Sequence, residues 1–386
     1  MANQSKYEQA FNGFYQRHSN EINPLGKKIL GKGAFGEVRD VKYKGKAMAV
    51  KIMEKSEDDK LQGEKLAINL RNHNIIKIQK IYENEKFKES SSDSKEKNKE
   101  RNSRTTEKTY DFIIMEKAVL RDLGKLNEFY YRHNLLKLIK LKIDDSYIFD
   151  EDMGDNLIRF YARQVINALG AINQNNYIHF DIKPENLLVS VNLIIRLTDF
   201  SLLKEIQEKD EKFIKLPGGT QGYTTPEYYI DKNMKIDSAR KQDYFALGSS
   251  LFILKYGLPL LKYKKYDDSR MNADRIIDLL QQNINILKSQ TFTDRDFMAF
   301  IISLIGYKPE ERADYQKIYR NKWLNKNNDI LDRIIMAFEN DEEKLIIELQ
   351  KADYLMKKEE NTDKNEKFKT KKFRFIKKKW KRRLRK

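Results

Sequence analysis

Apolar positions between residue 25 and about residue 325 switch repeatedly between strand-like and helix-like spacing. Residues 47–53 form a short apolar run of the length typical of a strand, whereas residues 157–173 carry apolar side chains at helical intervals. The longest apolar stretch, residues 245–261, is interrupted by a lysine, a glycine and a proline and is too short to span a bilayer. We therefore expect a buried core helix there, within a region that alternates strands and helices.

The same patterns divide the chain into four regions. Residues 1–24 are polar and are expected to be loosely ordered, and residues 25–325 hold the alternating strands and helices. Residues 326–365 carry apolar side chains close to helical spacing, which predicts a helical extension. Residues 366–386 form a polybasic tail.

Two polar stretches interrupt the large region. In residues 84–109 the only apolar side chain is that of Phe87, so this stretch cannot bury enough apolar surface to offset its ordering entropy and is predicted to be a disordered insertion. Residues 142–156 are acidic and are expected to form a long connection. The insertion at residues 84–109 is expected to carry no chemistry.

Charge and composition exclude several classes of protein. The chain has 386 residues, a net charge of +18 and no cysteine, so disulfides and thiolate zinc sites are excluded. Thirteen positive charges and no acid lie between Lys367 and Lys386, and removing them from the total leaves only +5 for the rest of the chain. Basicity is therefore no reason to expect that the globular part binds nucleic acid.

A glycine-rich loop follows a short strand-like run at residues 28–30. Gly31, Gly33 and Gly36 have the G-x-G-x-x-G spacing that lets a backbone approach phosphate closely. A dinucleotide-binding fold requires a helix directly after these glycines, but here two strand-like runs follow, joined by a turn at residues 44–46. The glycines are therefore predicted to form a flap over a ligand.

Lys51 lies in the middle of the second of these strands. Taken alone, it would be an ordinary solvent-facing lysine. Glu64 begins a helical run shortly afterwards and could pair with it. Such an ion pair would hold the ammonium group where it can contact phosphates.

A second polar cluster follows the predicted helix at residues 157–173. Pro184 excludes a helix at residues 177–188, so this segment is predicted to be a loop. Asp181 could accept a hydroxyl proton, Lys183 could neutralise a transferring phosphate, and Asn186 could bind a metal ion. Asp199, thirteen residues after Asn186, adds a carboxylate suited to Mg²⁺ at a strand end. Each acid alone could be a capping residue, but chance is a poor explanation of the whole set.

With these motifs in this order, the chain resembles the eukaryotic protein kinases from about Leu25 to Leu324. The resemblance implies an α+β, two-lobed fold that binds ATP and Mg²⁺ between the lobes. The smaller, β-rich N-lobe would end near Lys117, and the larger, mostly helical C-lobe near Asn325.

The resemblance also assigns roles to individual residues. Met115 would lie beside the adenine as gatekeeper, and Lys51 would be held by Glu64. The implied nucleotide-binding residues are Leu30, Gly31, Lys32, Gly33, Ala34, Phe35, Gly36, Glu37, Val38, Lys51, Glu116, Ala118 and Asp122. The implied catalytic residues are Lys51, Glu64, Asp181 and Lys183, with Asp181 as base, and the implied metal ligands are Asn186 and Asp199.

Further matches lie in the C-lobe. Residues 219–227 resemble the substrate-docking stretch, Asp243 and Gly248 an anchoring helix, and Arg312 the arginine that pairs with Glu227. Lys183 together with Thr220 is the pattern of serine/threonine-specific members. The substrates would then be proteins phosphorylated on Ser or Thr.

Three positions depart from the family pattern. Phe180 replaces the arginine that ordinarily binds a phosphorylated activation loop, so we expect activity that does not depend strongly on that phosphorylation. Ser201 replaces a glycine and is expected to stiffen the metal-binding turn without inactivating it. Thr225 replaces an alanine, which is a mild change. The alternatives are a catalytically silent nucleotide-binding scaffold and, with less support, a nucleic-acid-binding protein.

The tail carries a second pattern. Phe373, Ile376, Trp380 and Leu384 are spaced as one face of a helix whose other face is almost entirely Lys and Arg. This predicts binding to an anionic membrane surface or to a calmodulin-like acidic partner. The alternatives are a nuclear-localisation signal, an arm attracted to nucleic acid, and a tail without a partner. We expect a cytoplasmic protein, with nuclear or peripheral-membrane location as options.

Overall fold

The structure is a computed structural model of the chain. It describes residues 6–33, 35–56, 60–90, 105–118, 122–125, 151–190, 194–206, 212–231, 233–256, 260, 278, 280–282, 284–285 and 295–326. The predicted helical extension at residues 326–365, apart from residue 326 itself, and the whole tail at residues 366–386 lie outside these ranges. Both remain predictions.

The N-lobe is built on one antiparallel sheet of five strands in the order β1-β2-β3-β5-β4. Alternating or continuous apolar runs form each strand, and the turn predicted at residues 44–46 joins the second and third strands. The strands are β1 (Ile22–Gly33), β2 (Gly36–Tyr43), β3 (Lys46–Glu54), β4 (Ile78–Ser90) and β5 (Thr105–Glu116). The predicted hairpin after the glycines is therefore confirmed, because β1, β2 and β3 pair in sequence.

Two helices flank this sheet. The helix α2 (Lys60–Ala67) packs into the hydrophobic core on the side of the sheet that faces the cleft. The helix α1 (Lys6–Arg17) packs on the opposite, outer face of the sheet. The prediction of a loosely ordered segment was therefore wrong for residues 6–24, while residues 1–5 lie outside the described residues. Ala10, Phe11 and Phe14 lie on one side of α1 and are buried, because helical spacing gives this polar segment a narrow apolar face.

The hairpin of β4 and β5 also extends further than expected. Residues 86–90 pair with residues 105–109 as strands, although both were predicted to be part of a disordered insertion, and residues 91–104 of that stretch lie outside the described residues. Phe87, the single apolar residue of that stretch, is buried beneath α1, where a Cβ added to Gly13 would lie 2.5 Å from its ring. One aromatic side chain thus orders both arms of the hairpin because α1 supplies its partner surface.

The C-lobe is mostly helical, as the sequence predicted, and small strand pairs border the cleft. Its helices are α3 (Glu151–Gln174), α4 (Glu227–Ile230), α5 (Ile236–Arg240), α6 (Gln242–Tyr256), α7 (Arg295–Ile305) and α8 (Tyr315–Tyr319). Its strands form the pairs β6 (Tyr177–Ile178) with β9 (Lys204–Glu205), β7 (Leu187–Val189) with β8 (Ile195–Leu197), and β10 (Phe213–Lys215) with β11 (Asn233–Lys235).

The helix α6 is the predicted core helix. Nearly all its side chains are buried, and it packs between α3 and α7 in the largest hydrophobic cluster. The acidic connection is shorter than expected, since α3 already begins at Glu151. Within the described part of the chain, no helix combines the length and hydrophobicity that crossing a membrane requires. The two-lobed α+β fold is confirmed.

Candidate active site

The glycine-rich loop joins β1 to β2 at the edge of the cleft. Gly36 has φ +152, and a Cβ there would lie 2.0 Å from the carbonyl oxygen of Ile52, so only glycine allows β2 to approach β3 at this point. No atom lies within 4 Å of a Cβ built on Gly31 or Gly33, which leaves their backbone accessible. Ala34 lies outside the described residues.

Side chains alternate between the two faces of this hairpin. Leu30, Phe35 and Val38 pack against the core cluster that includes the cleft. The carboxylate of Glu37 instead binds Arg39 at 2.6 Å and Lys32 at 3.1 Å. The side chain of Glu37 is therefore engaged with Arg39 and Lys32 rather than with the cleft.

The residues assigned to adenine and ribose lie where β5 leaves the sheet. Met115 is buried, and the side chain of Glu116 accepts a hydrogen bond from Arg196 at 3.1 Å. Ala118 follows two residues later in the segment that joins the lobes. Asp122 forms a backbone bridge to Leu188 and accepts a hydrogen bond from the backbone N–H of Lys125 at 2.9 Å. The end of β5 and the segment that joins the lobes thus bring these residues to one side of the cleft.

The ammonium group of Lys51 is the centre of a buried polar cluster. Its Nζ lies 2.6 Å from Glu64 Oε1, 2.7 Å from Asp199 Oδ1 and 2.8 Å from Ser201 Oγ. The Ser201 hydroxyl also donates to Asp199 Oδ1 at 2.8 Å. All three donors of the ammonium are thereby used, and residues distant in the sequence form one network.

Charge pairing in this cluster outweighs burial for two of its groups. Burial alone would lower the pKa of Lys51, but Asp199 and Glu64 raise it above its usual range. Burial alone would raise the pKa of Asp199, but Lys51 lowers it to about 2. The pKa of Glu64 is raised, because burial there exceeds the opposite effect of Lys51. Asp199 is therefore a carboxylate at neutral pH beside a charged lysine.

Helix α2 lies unusually close to the turn that follows Asp199. A Cβ added to Gly63 would lie 2.0 Å from the carbonyl oxygen of Phe200 and 3.0 Å from that of Leu203. Glycine at position 63 is what lets the next residue, Glu64, reach Lys51. The sequence analysis did not identify Gly63, although a glycine inside a short helix is the signal that could have revealed it.

The loop at residues 177–188 holds a second network, which is centred on Asp181. Lys183 Nζ lies 2.6 Å from Asp181 Oδ2, and Asn186 Nδ2 donates to the same oxygen at 2.9 Å. The Thr220 hydroxyl donates to Asp181 Oδ1 at 2.6 Å and accepts a hydrogen bond from Lys183 at 2.8 Å. Thr220, which the sequence analysis used only as a marker of specificity, is therefore part of the site itself.

The two predicted metal ligands stand at matching ends of the β7–β8 hairpin. Leu187 pairs with Leu197, and Thr198 N donates to Asn186 O at 3.0 Å. Asn186 therefore lies just before the β7–β8 hairpin and Asp199 just after it. Because Asn186 uses its amide nitrogen on Asp181, its amide oxygen is the atom suited to a cation. One carboxylate and one amide oxygen are a donor set that fits Mg²⁺, with phosphate oxygens and water completing the shell.

The backbone before Asp181 is strained and is held in place by Asp243. Phe180 has φ +65, a conformation rare for a bulky residue. The carboxylate of Asp243 accepts hydrogen bonds from the backbone N–H of His179 at 2.8 Å and of Phe180 at 2.9 Å. Burial lowers the pKa of His179 to about 4, so its ring is neutral and accepts the N–H of Asp181 at 3.2 Å. The predicted anchoring role of Asp243 thus has a direct geometric basis.

Phe180 also has a packing role that its substitution for arginine did not reveal. It is buried with Leu202, Ile206, Leu216 and Met234 in a separate hydrophobic cluster beneath the segment after Asp199.

Further along, Arg312 binds Glu227 at 2.6 Å, as predicted. The stretch at residues 219–227 is thereby tied to the C-lobe.

Comparison with known proteins agrees with this geometry. The sequence profile of the family described as protein kinase domain matches residues 26–324. An Aurora kinase of Saccharomyces cerevisiae is 28% identical over 307 residues, which cover 78% of this chain and 69% of that protein. An Aurora kinase of Eremothecium gossypii is 26% identical over 309 residues, with coverage of 78% and 68%.

A shorter match points the same way. The serine/threonine-protein kinase sgk-1 of Caenorhabditis elegans is 32% identical over 147 residues, which are 37% of this chain and 30% of that protein. Since the family profile spans most of the chain and includes both networks described above, the chain belongs to the protein kinase family.

Proposed function

We propose that this chain is an active, ATP-dependent serine/threonine kinase that phosphorylates proteins. The observation that carries the proposal is the carboxylate of Asp181, which is bound at once by Lys183, Asn186 and Thr220. A silent scaffold would not need a base held in this way. The relatives described above, an Aurora kinase and a serine/threonine kinase among them, support the same activity.

Each network has a distinct task in this reaction. The acceptor hydroxyl oxygen attacks the γ-phosphorus, the bond from that phosphorus to the bridging oxygen of ADP breaks, and Asp181 takes the hydroxyl proton. Lys183 neutralises charge on the transferring group. A phosphate oxygen that contacts Lys51 would have to replace one of its three present acceptors, and Glu64 keeps the ammonium in place during that exchange.

Asn186 and Asp199 are proposed to hold Mg²⁺. The ion would supply positive charge against the β- and γ-phosphates. The chain contributes the orientation of its ligands: Asp199 is fixed by Lys51 and Ser201, and Asn186 is fixed by Asp181. Ser201, which departs from the family pattern, strengthens this orientation and leaves the carboxylate ligand intact.

Acceptor specificity is the direct test of the proposal. With labelled ATP and Mg²⁺, we expect the purified chain to phosphorylate Ser and Thr in matched peptides of a basic protein substrate. Peptides with Tyr or Ala at the same position should remain unlabelled. Chelation of divalent cations with EDTA should abolish the transfer. Label on Ser and Thr no higher than in the EDTA control would contradict the proposal.

Phosphorylation of the activation segment is proposed to be dispensable. The segment is held by the hydrophobic cluster around Phe180 rather than by a phosphate bound to arginine. Two threonines that could be phosphorylated there are not freely accessible, because the Thr224 hydroxyl donates to Thr220 O at 3.0 Å and Thr225 is fully buried. Treatment with a phosphatase should therefore change kcat by less than about twofold. A loss of activity that rephosphorylation restores would show the opposite.

The basic tail is proposed to bind anionic surfaces. Each Lys or Arg near an anionic membrane contributes about 1 kcal/mol, so thirteen such residues suffice for attachment. Removing residues 367–386 should abolish co-sedimentation with phosphatidylserine vesicles and leave kinase activity unchanged. Equal sedimentation of the full and shortened chains would refute the membrane role.

A further inference from the structure

The helix α1 lies before the region matched by the kinase profile, yet its apolar side chains pack on the outer face of the N-lobe sheet. The ring of Phe14 stacks on that of Phe112 with centroids 3.8 Å apart and also meets Tyr82 edge-on at 5.0 Å. Arg17 fixes the end of the helix by binding Glu85 at 2.8 Å. These contacts lie over β4 and β5, far from the glycine-rich loop.

Phe11 makes a different contact, over β2. The guanidinium carbon of Arg39 lies 5.1 Å from the centre of the Phe11 ring, and Arg39 is only 4% exposed. The Nε of Arg39 donates to Glu37 Oε1 at 2.6 Å, and Glu37 is completely buried. The Phe11 ring thus lies against a charged pair that is buried on the outer face of β2.

The same carboxylate reaches the glycine-rich loop. Glu37 Oε2 lies 3.1 Å from Nζ of Lys32, which stands between Gly31 and Gly33. Lys32 and Glu37 are also paired residues of the β1–β2 hairpin, immediately before its tip. An unbroken series of contacts therefore runs from Phe11 through Arg39 and Glu37 to Lys32.

We propose that α1 is a positioning element for nucleotide binding, acting through Phe11, Arg39 and Glu37 on the glycine-rich loop. The inference rests on the proposed kinase activity, because it assigns the loop to the nucleotide. By holding Arg39 against Glu37, Phe11 keeps the carboxylate aimed at Lys32 and the hairpin closed up to its tip. A loop ordered before binding loses less conformational entropy when it covers the phosphates, so the affinity for nucleotide rises.

Two matched substitutions in α1 separate this role from simple stabilisation. Phe11→Leu keeps an apolar side chain but removes the ring under the guanidinium, and Phe14→Leu makes the same change over β4 and β5. We expect Phe11→Leu to raise KM for ATP about threefold, with kcat nearly unchanged, because the buried cation–π contact that holds Arg39 is lost. Phe14→Leu should lower the melting temperature but leave KM for ATP as in the wild type.

Hydrogen exchange supplies a readout that does not need catalysis. In Phe11→Leu, amides of residues 31–38 should exchange faster than in the wild type, whereas in Phe14→Leu they should not. Equal effects of the two substitutions on KM, or unchanged exchange at residues 31–38 in Phe11→Leu, would overturn the inference. If the wild type transferred no phosphate, the proposed function would fail, but the exchange comparison would still decide whether α1 orders the loop.

Discussion

An Asp181→Asn enzyme is expected to lose about a thousandfold in kcat while still binding ATP. The amide cannot accept the proton of the attacking hydroxyl, and positioned bases contribute roughly 10²- to 10⁴-fold. Asparagine has nearly the same shape, and Asp181 lies in the catalytic loop rather than among the residues assigned to adenine. The fold and the affinity for nucleotide should therefore persist.

Single-turnover transfer from labelled ATP measures the loss, and titration with a fluorescent nucleotide measures binding. Asp237→Asn, the same chemical change at an exposed position of α5, is the matched control. It should behave as the wild type in both assays. Equal phosphate transfer by Asp181→Asn and the wild type would remove the basis for the enzyme assignment.

Replacing Gly63 with alanine is expected to lower kcat roughly ten- to a hundredfold, although residue 63 carries no reacting group. The new Cβ would lie 2.0 Å from the backbone carbonyl of Phe200, which cannot rotate away as a side chain could. Helix α2 must then shift and take Glu64 from Lys51. A hydrogen bond between charged groups contributes about 1.5–3 kcal/mol, which corresponds to that loss of rate.

The direction of the stability change makes this prediction specific. In an unhindered helix, alanine stabilises by about 1 kcal/mol relative to glycine, whereas overpacking destabilises by about 1–3 kcal/mol. Urea denaturation should therefore show Gly63→Ala to be less stable than the wild type. Gln62→Ala, at the exposed neighbouring position, should change neither kcat nor stability appreciably. A Gly63→Ala protein with full activity and raised stability would contradict the prediction, because it would show that a methyl group fits between α2 and the carbonyl of Phe200.

Local chemistry allowed most residues of the candidate site to be predicted. A glycine loop followed by strands, a lysine within a strand and two acidic turns are short patterns whose meaning depends on near neighbours. The hairpin and the pairing of Lys51 with Glu64 were found in this way, whereas the pairing of Arg312 with Glu227 was predicted from the resemblance to the kinase family. These contacts could be predicted because the motifs of the kinase family indicate which residues pair.

Contacts that do not belong to the family motifs could not be predicted in the same way. Neither α1 nor the arms of the β4–β5 hairpin bury much apolar surface alone, and each is ordered by the other through Phe87. The ring of Phe180 was recognised as a lost arginine but not as the centre of an apolar cluster, since its partners come from the segment after Asp199 and from β11. The side-chain direction of Glu37 depended on Arg39 and Phe11, which no local motif connects.

The aromatic layer between α1 and the sheet has a practical consequence for anyone who expresses this protein in pieces. A fragment that begins at residue 26, where the family profile starts, lacks α1. Its loss would expose Tyr82, Tyr110 and Phe112 to water as an apolar surface patch. Such a fragment should aggregate even though every catalytic group is retained. Useful fragments therefore begin upstream of Lys6.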